Sequence, residues 1–178
     1  MKRSIVFFVL TTVILAITIS FYWDKILPKT GYILIQEVYN NFEYKVELEK
    51  KFIDIKGKRQ KILDSLETRV NILGNKIRLQ VVEDRNNNDI AEFTTIREEF
   101  LNKKRKIEEE NNALSKQFDA KILSQLNQYI KEFGKEFNYT YIFGNDGNGS
   151  LLYADDRRNI SKEVSDYLNT KFKTEKLK

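Results

Sequence analysis

Residues 90–133 read IAEFTTIREEFLNKKRKIEEENNALSKQFDAKILSQLNQYIKEF, and apolar side chains recur here at mostly three- and four-residue steps. This spacing places them on one face of an α-helix, as in a coiled-coil seam. Lys104 and Asn111 stand at seam positions and interrupt the series. The apolar members are Ile90, Phe93, Ile96, Phe100, Ile107, Leu114, Phe118, Ile122, Leu126, Tyr129 and Phe133. The stretch therefore predicts one long helix that packs on a partner along a narrow seam.

A similar apolar series precedes this stretch, over residues 38–81, and is most regular between residues 66 and 77. Arg59 interrupts it where an apolar side chain is expected. Gly57 and Gly74 lie inside the series, and each costs a helix about 1 kcal/mol relative to alanine. The long run without proline nevertheless predicts a second long helix.

The two series are separated by residues 85–89, RNNND, which are turn-forming and include no apolar residue. We expect the chain to reverse there, with Asp89 capping the next helix and Glu92 completing a capping box. The result is an antiparallel helical pair over about residues 37–137, each helix roughly 70 Å long at 1.5 Å per residue. Because few contacts oppose local opening in so thin a structure, the polar breaks predict flexibility near its tip.

Three short stretches of β-branched and aromatic residues predict strands, at residues 32–35, 139–143 and 150–153. The last two are separated by GNDGNG (residues 144–149), which predicts a hairpin turn because Asp-Gly and Asn-Gly accept positive φ. The three strands can form one sheet only if the helical pair folds back between them. Strands that are apolar on both faces would leave more apolar surface exposed than a monomer of this size normally carries. We therefore expect the chain to oligomerise through the sheet.

A final helix is predicted after residue 158, capped by Asn159 or Ser161. The fold class expected is α+β and mostly α: a small body of about three strands with a long inserted helical hairpin. The predicted domains are an N-terminal segment (1–23), a linker (24–30) and a main domain (31–178). Within the main domain we assign a body to 31–50 and 125–178, and an arm to 51–124. The apolar face of the final helix consists of Val164, Tyr167, Leu168 and Phe172.

The first 23 residues predict a membrane-targeting segment. Lys2 and Arg3 precede residues 5–23, which carry no charge, and Asp24 ends the run. The run lies between the length of a signal peptide core and that of a spanning helix. The aromatic residues 21–23 suit a membrane–water interface better than a cleavage site. We favour an uncleaved anchor over a cleaved signal, with everything after residue 23 outside the cytoplasm.

The composition excludes several kinds of chemistry. The chain has no Cys and no His, which removes thiol nucleophiles, Cys/His zinc sites and His-based triads. Residues 146–157 begin like a calcium loop, but Leu151 and Arg157 stand where glycine and a bidentate glutamate are needed. The basic run 103–106 is followed at once by acidic residues 108–110, which favours a solvated helix over a nucleic-acid site. We expect no catalysis, cofactor, metal, nucleic acid or small-molecule substrate.

Both ends of the main domain resemble the Skp (OmpH-like) family. GYILIQEVYNNF (31–42), followed by a long charged helix, is similar to the start of that family. YIFGNDGNGSLLYAD (141–155), NISKEV (159–164) and YLN (167–169) resemble its closing motifs. The resemblance covers about residues 31–172, with the specific motifs confined to the two ends.

The resemblance implies a periplasmic chaperone that forms a trimer through its β body and encloses unfolded outer-membrane proteins between helical arms without ATP. Phe93, Phe100 and Leu101 are candidates for client contact, although each also suits the seam. An alternative is a membrane-anchored coiled-coil adaptor for one folded partner. The residues expected to form the oligomer body are Tyr32, Ile33, Leu34, Ile35, Tyr141, Phe143, Leu151, Leu152 and Tyr153.

Overall fold

The computed structural model describes residues 11–19, 28–79 and 87–177. Its elements after residue 28 are β1 (Thr30–Leu34), α1 (Ile35–Asn40), α2 (Glu43–Leu79), α3 (Asn87–Glu136), β2 (Tyr141–Asn145), a 3₁₀ turn (Asp156–Arg158) and α4 (Ser161–Lys176). The chain divides into two compact units. We call the described residues of 1–42 and 126–178 the body, and those of 43–125 the arm. The predicted α+β class, mostly helical with a small sheet, is confirmed.

The sheet of the body pairs β1 with β2 in parallel, with Thr30 opposite Tyr141 and Leu34 opposite Asn145. Parallel strands need a crossover connection, and here the whole helical hairpin provides it. The prediction that distant strands meet because the hairpin folds back is therefore confirmed. Gly31 of β1 lets the Ile160 side chain approach the strand closely, because a Cβ at position 31 would lie 2.8 Å from Cδ1 of Ile160.

The prediction of a third strand at residues 150–153 is wrong, and so is the predicted hairpin between that strand and β2. The structure shows a loop over residues 150–153. The side chain of Asn145 accepts a hydrogen bond from the Gly147 N–H at 3.0 Å, and that of Asp146 accepts one from the Asn148 N–H at 2.9 Å. Asn145 and Asp146 thus form two successive Asx turns, in which a side-chain oxygen accepts the N–H two residues later. These turns replace the tight backbone reversal that a hairpin requires. A further bridge joins Tyr32 to Asn159 instead.

The core of the body lies where α1, the end of α3 and α4 meet the sheet. The predicted cap of α4 by Asn159 or Ser161 is wrong: Ile160 is the N-cap and makes no side-chain cap bond, while the Asn159 side-chain oxygen accepts the Ser161 N–H at 3.0 Å just before the helix. The Ser161 hydroxyl in turn accepts the Leu34 N–H at 2.8 Å, which ties the helix to β1. The buried apolar residues of the body are Tyr32, Ile33, Val38, Phe42, Leu126, Tyr129, Phe133, Ile160, Val164 and Leu168.

The arm is the predicted antiparallel pair, formed by α2 and the first part of α3. The Phe52 and Phe118 rings meet edge to face with centroids 6.5 Å apart, and the Phe93 ring packs against Gly74 nearer the turn. Asp89 was predicted to cap α3, but it lies within the first turn of that helix. Its carboxylate accepts a hydrogen bond from the Lys76 ammonium at 2.9 Å, which joins the first turn of α3 to α2.

Residues 5–10 and 20–23 of the predicted membrane segment lie outside the described residues, as do residues 85 and 86 of the predicted turn. Residues 87–89 begin α3, so the turn prediction is wrong for these three residues. Residues 11–19 are helical, with exposed side chains. Within residues 11–19, 28–79 and 87–177, no helix is both long and apolar enough to cross a membrane.

Candidate binding surfaces

β2 and the loop that follows it carry four large, exposed apolar side chains. Tyr141 and Phe143 on β2 are 58% and 49% exposed, and their rings stack with centroids 6.1 Å apart. In the loop that follows, Leu152 and Tyr153 are 92% and 84% exposed. Side chains of this size and exposure, close together in sequence, are typical of a surface that another protein covers. We call these four residues the closing patch.

The other residues predicted for the oligomer body lie differently. Tyr32 and Ile33 are buried within the chain, and Leu34 and Leu151 are half-buried. Ile35, at the start of α1, is partly exposed. Sequence alone could not separate these two groups, because burial depends on which face of the sheet α4 covers.

Polar contacts hold the two loops that flank Leu152 and Tyr153 of the closing patch. The hydrogen bond from the Asn148 backbone lowers the pKa of Asp146 below its usual range. In the next loop, the Arg157 side chain donates to both oxygens of Asp155, at 3.0 and 2.6 Å, and lowers its pKa. Leu152 and Tyr153 therefore lie between two loops that are held by hydrogen bonds.

A ladder of three side-chain contacts joins the end of α3 to α4 and was missed from the sequence. The contacts step along both helices in opposite directions, so the two helices run antiparallel within the body. They are Tyr129 to Glu175 at 2.6 Å, Glu132 to Lys171 at 3.0 Å and Glu136 to Tyr167 at 2.8 Å. Spacing of complementary residues by three or four positions on both helices is the signal that could have revealed it.

An aromatic cluster lies beside this ladder. The Phe133 ring packs on Phe137, Tyr139 and Tyr167, with centroids 4.6 to 5.6 Å apart. Lys29 places its ammonium 4.1 Å from the centre of the Tyr139 ring and donates to the Phe137 carbonyl at 2.9 Å. This cation anchors the start of β1 to the end of α3.

The seam of the arm contains a polar contact at two of its three predicted breaks. The Arg59 guanidinium donates to the side-chain oxygen of Asn111 at 2.6 Å and lies 3.0 Å from the Glu110 carboxylate. The two breaks thus face each other across the hairpin, where a shifted register would leave both polar groups unpaired. Since one charged group is half-buried, the contact specifies register as well as contributing stability.

We expect Arg59→Leu to lower the free energy of unfolding by about 1–2 kcal/mol, because it leaves the half-buried Asn111 without its partner. The double variant Arg59→Leu, Asn111→Leu restores an apolar seam and should be at least as stable as the natural chain. Urea unfolding of the four members of the cycle measures the coupling. Equal destabilisation by the single and double variants would contradict this assignment.

The three candidates for client contact divide between the seam and the surface. Phe93 and Phe100 are half-buried, and Phe93 packs against Gly74 in the seam. Leu101 is 46% exposed and remains available to a partner. Other exposed apolar residues on the arm are Val46, Ile53, Ile62, Ile72, Leu79, Ile90 and Leu123.

Side chains that could hold a metal ion do not cluster in the described part of the chain, where no group of three or more acidic residues has suitable geometry. The Asp146 loop, which begins like a calcium site, instead uses its carboxylate to hold its own backbone. The features of both units are those of protein-binding surfaces: exposed apolar side chains on the body and a long seam-held hairpin in the arm.

In the part of the chain that the structure describes, a small parallel sheet carries a long helical hairpin inserted between its two strands. The family model described as outer membrane protein (OmpH-like) matches residues 29–168, and the chain belongs to this family. The resemblance seen at both ends of the main domain is confirmed.

Among solved structures, the chain is similar to the crystal structure of an OmpH-like protein from Caulobacter crescentus CB15, described there as a candidate outer membrane chaperone. The TM-score is 0.59 at 11% identity, over 82% of this chain and 86% of the other. At that identity the similarity supports the fold alone. No curated protein sequence matches the chain.

Proposed function

We propose that the protein is an ATP-independent holdase chaperone of the periplasm. In this proposal a homotrimer forms through the closing patch, and its arms hold unfolded outer-membrane proteins and prevent their aggregation. The observation that carries the proposal is the exposure of Tyr141 and Phe143 on β2 and of Leu152 and Tyr153 in the following loop. These residues lie in the segment that resembles the family's closing motif, and a second copy is the partner that would cover them.

The arm supports a holding role through the chemistry of its surface. Single exposed apolar side chains are ordinary on proteins. Here they recur along both helices among charged residues, from Ile53 and Ile72 on α2 to Leu101 and Leu123 on α3. An extended client chain would touch several such residues at once, each weakly. Many weak contacts hold a client without fixing one conformation and release it without ATP.

The proposed location follows from the N-terminal segment. Residues 5–23 would tether the chaperone to the inner membrane, with the body and arm in the periplasm; if the segment is cleaved, the chaperone would be soluble there. The proposal for this segment rests on its uncharged run between Arg3 and Asp24.

Aggregation assays test the holdase proposal. An unfolded β-barrel outer-membrane protein, diluted from urea into buffer without ATP, should scatter less light when residues 28–178 are present at near-stoichiometric ratio. The variant Ile53→Ser, Ile72→Ser, Leu101→Ser should lose most of the suppression while its helical circular dichroism stays unchanged. The matched control replaces three exposed polar residues of the arm, Lys56, Asn102 and Lys116, by serine and should retain suppression.

The range of clients separates the holdase from a coiled-coil adaptor. A holdase should protect several unrelated unfolded chains, whereas an adaptor would bind one native protein and suppress no aggregation. Absence of suppression for every unfolded chain would contradict the proposal.

A further inference from the structure

The loop from Asn145 to Ser150 contains the single Asn-Gly pair of the 178-residue sequence, Asn148-Gly149. Both residues are exposed and lie outside any helix or strand. Glycine has no Cβ to hinder a reaction at its nitrogen, and a Cβ at Gly149 would itself meet nothing closer than 4.0 Å. The peptide bond between these residues is thus sterically open from both sides.

Hydrogen bonding distinguishes Gly149 from its neighbours. The Gly147 N–H donates to Asn145 and the Asn148 N–H donates to Asp146. In the described part of the chain, the Gly149 N–H has no hydrogen-bond partner. Of these three consecutive backbone nitrogens, Gly149 alone is therefore free to react.

We propose that Asn148 is a site of spontaneous deamidation. The Gly149 nitrogen, after losing its proton to solvent base, attacks Cγ of Asn148. A new C–N bond closes a five-membered succinimide as the bond to the side-chain nitrogen breaks, and ammonia leaves. Water then opens the ring at either carbonyl and yields aspartate or isoaspartate. Water is the one further reactant, and nothing is oxidised or reduced.

The same loop protects the neighbouring Asp146-Gly147 pair, which is the other sequence prone to succinimide formation. The Gly147 nitrogen is held by the Asn145 side chain, and the Asp146 carboxylate is engaged by the Asn148 N–H. An ionised carboxylate is also a poor electrophile, and the Asn148 backbone contact lowers the pKa of Asp146. Two chemically similar positions two residues apart thus differ in reactivity because of their contacts.

Modification changes the loop in two ways. Aspartate or isoaspartate at position 148 adds a negative charge close to Asp146, and isoaspartate also lengthens the backbone by one atom. The φ angle of Gly149 is +91°, a backbone conformation that residues with a side chain disfavour. The reaction is irreversible without a repair enzyme, so the modified fraction increases with the age of the chain.

Timed incubation of the full chain at pH 8.5 and 37 °C, followed by peptide mass mapping, tests the proposal. Deamidation at Asn148 should be roughly tenfold faster than at any other asparagine, equivalent to about 1.4 kcal/mol in the barrier. The rate should rise with pH because the attacking nitrogen must lose a proton. Asn148→Gln should abolish the modification of this peptide, because cyclisation would then require a six-membered ring.

A second variant tests the protecting contact. Asn145→Ala releases the Gly147 N–H and should raise isoaspartate formation at Asp146 above its level in the natural chain. Comparable rates at Asn148 and at the asparagines of the helices would overturn the proposal, as would an intact Asn148 after long incubation. Both readouts are chemical and stand apart from chaperone activity and oligomeric state.

Discussion

Replacing Phe42 by alanine is expected to destabilise the body by about 3–5 kcal/mol, the usual cost of deleting a fully buried aromatic ring. Phe42 is 1% exposed and lies between α1 and α2. Its ring meets those of Tyr129 and Phe172 edge to face, with centroids 6.2 and 6.3 Å away. It thus joins the end of α3 to α4, and no neighbouring side chain can fill the cavity without moving a helix.

Urea unfolding of residues 28–178, followed by tyrosine fluorescence, measures the loss. Phe42→Leu should cost less, since leucine retains part of the buried volume. Phe137→Ala is the matched control, because that ring is 43% exposed and belongs to the same end of the body. A loss at position 42 no larger than that at position 137 would contradict the placement of Phe42 at the centre of the core.

Leu152→Asp combined with Tyr153→Asp is expected to convert the proposed trimer into a monomer. Both side chains are almost fully exposed in the single chain, so the variant should fold normally. In an assembly that buries the closing patch, each carboxylate must lose water without gaining a partner. A penalty of about 3 kcal/mol per subunit weakens the binding of each subunit by more than about 100-fold.

Light scattering coupled to size-exclusion chromatography measures this change on residues 28–178. We expect three copies for the natural chain and one for the variant. Leu177→Asp is the matched control: Leu177 is 89% exposed but lies after the final helix, outside the closing patch. A monomeric natural chain would contradict the proposed assembly, and a variant that stays trimeric would exclude the closing patch as the interface.

Only some residues of the candidate surfaces could be predicted from the sequence. The aromatic strand residues Tyr141 and Phe143 were recognisable because they alternate along a strand. The exposure of Leu152 and Tyr153 was foreseen only as part of a strand that does not form. The contact between Arg59 and Asn111 was not foreseen, because each was visible only as a break in its own series.

What the sequence by itself determined was the local structure. The three- and four-residue period of residues 90–133 defined α3, the equivalent series defined α2, and the apolar face of residues 164–172 defined α4. These features are readable because helix periodicity involves neighbours a few positions apart.

Only the tertiary structure decided the partners of these elements. It paired β2 with the distant β1 in parallel, although GNDGNG favoured a local hairpin, and it paired Asp89 with Lys76 of the other long helix. The physical reason is that such pairings depend on which surfaces remain uncovered once the helices have packed. Side chains of the loop accept the Gly147 and Asn148 N–H groups, and the segment after the loop is exposed as part of the surface that we propose a second copy covers.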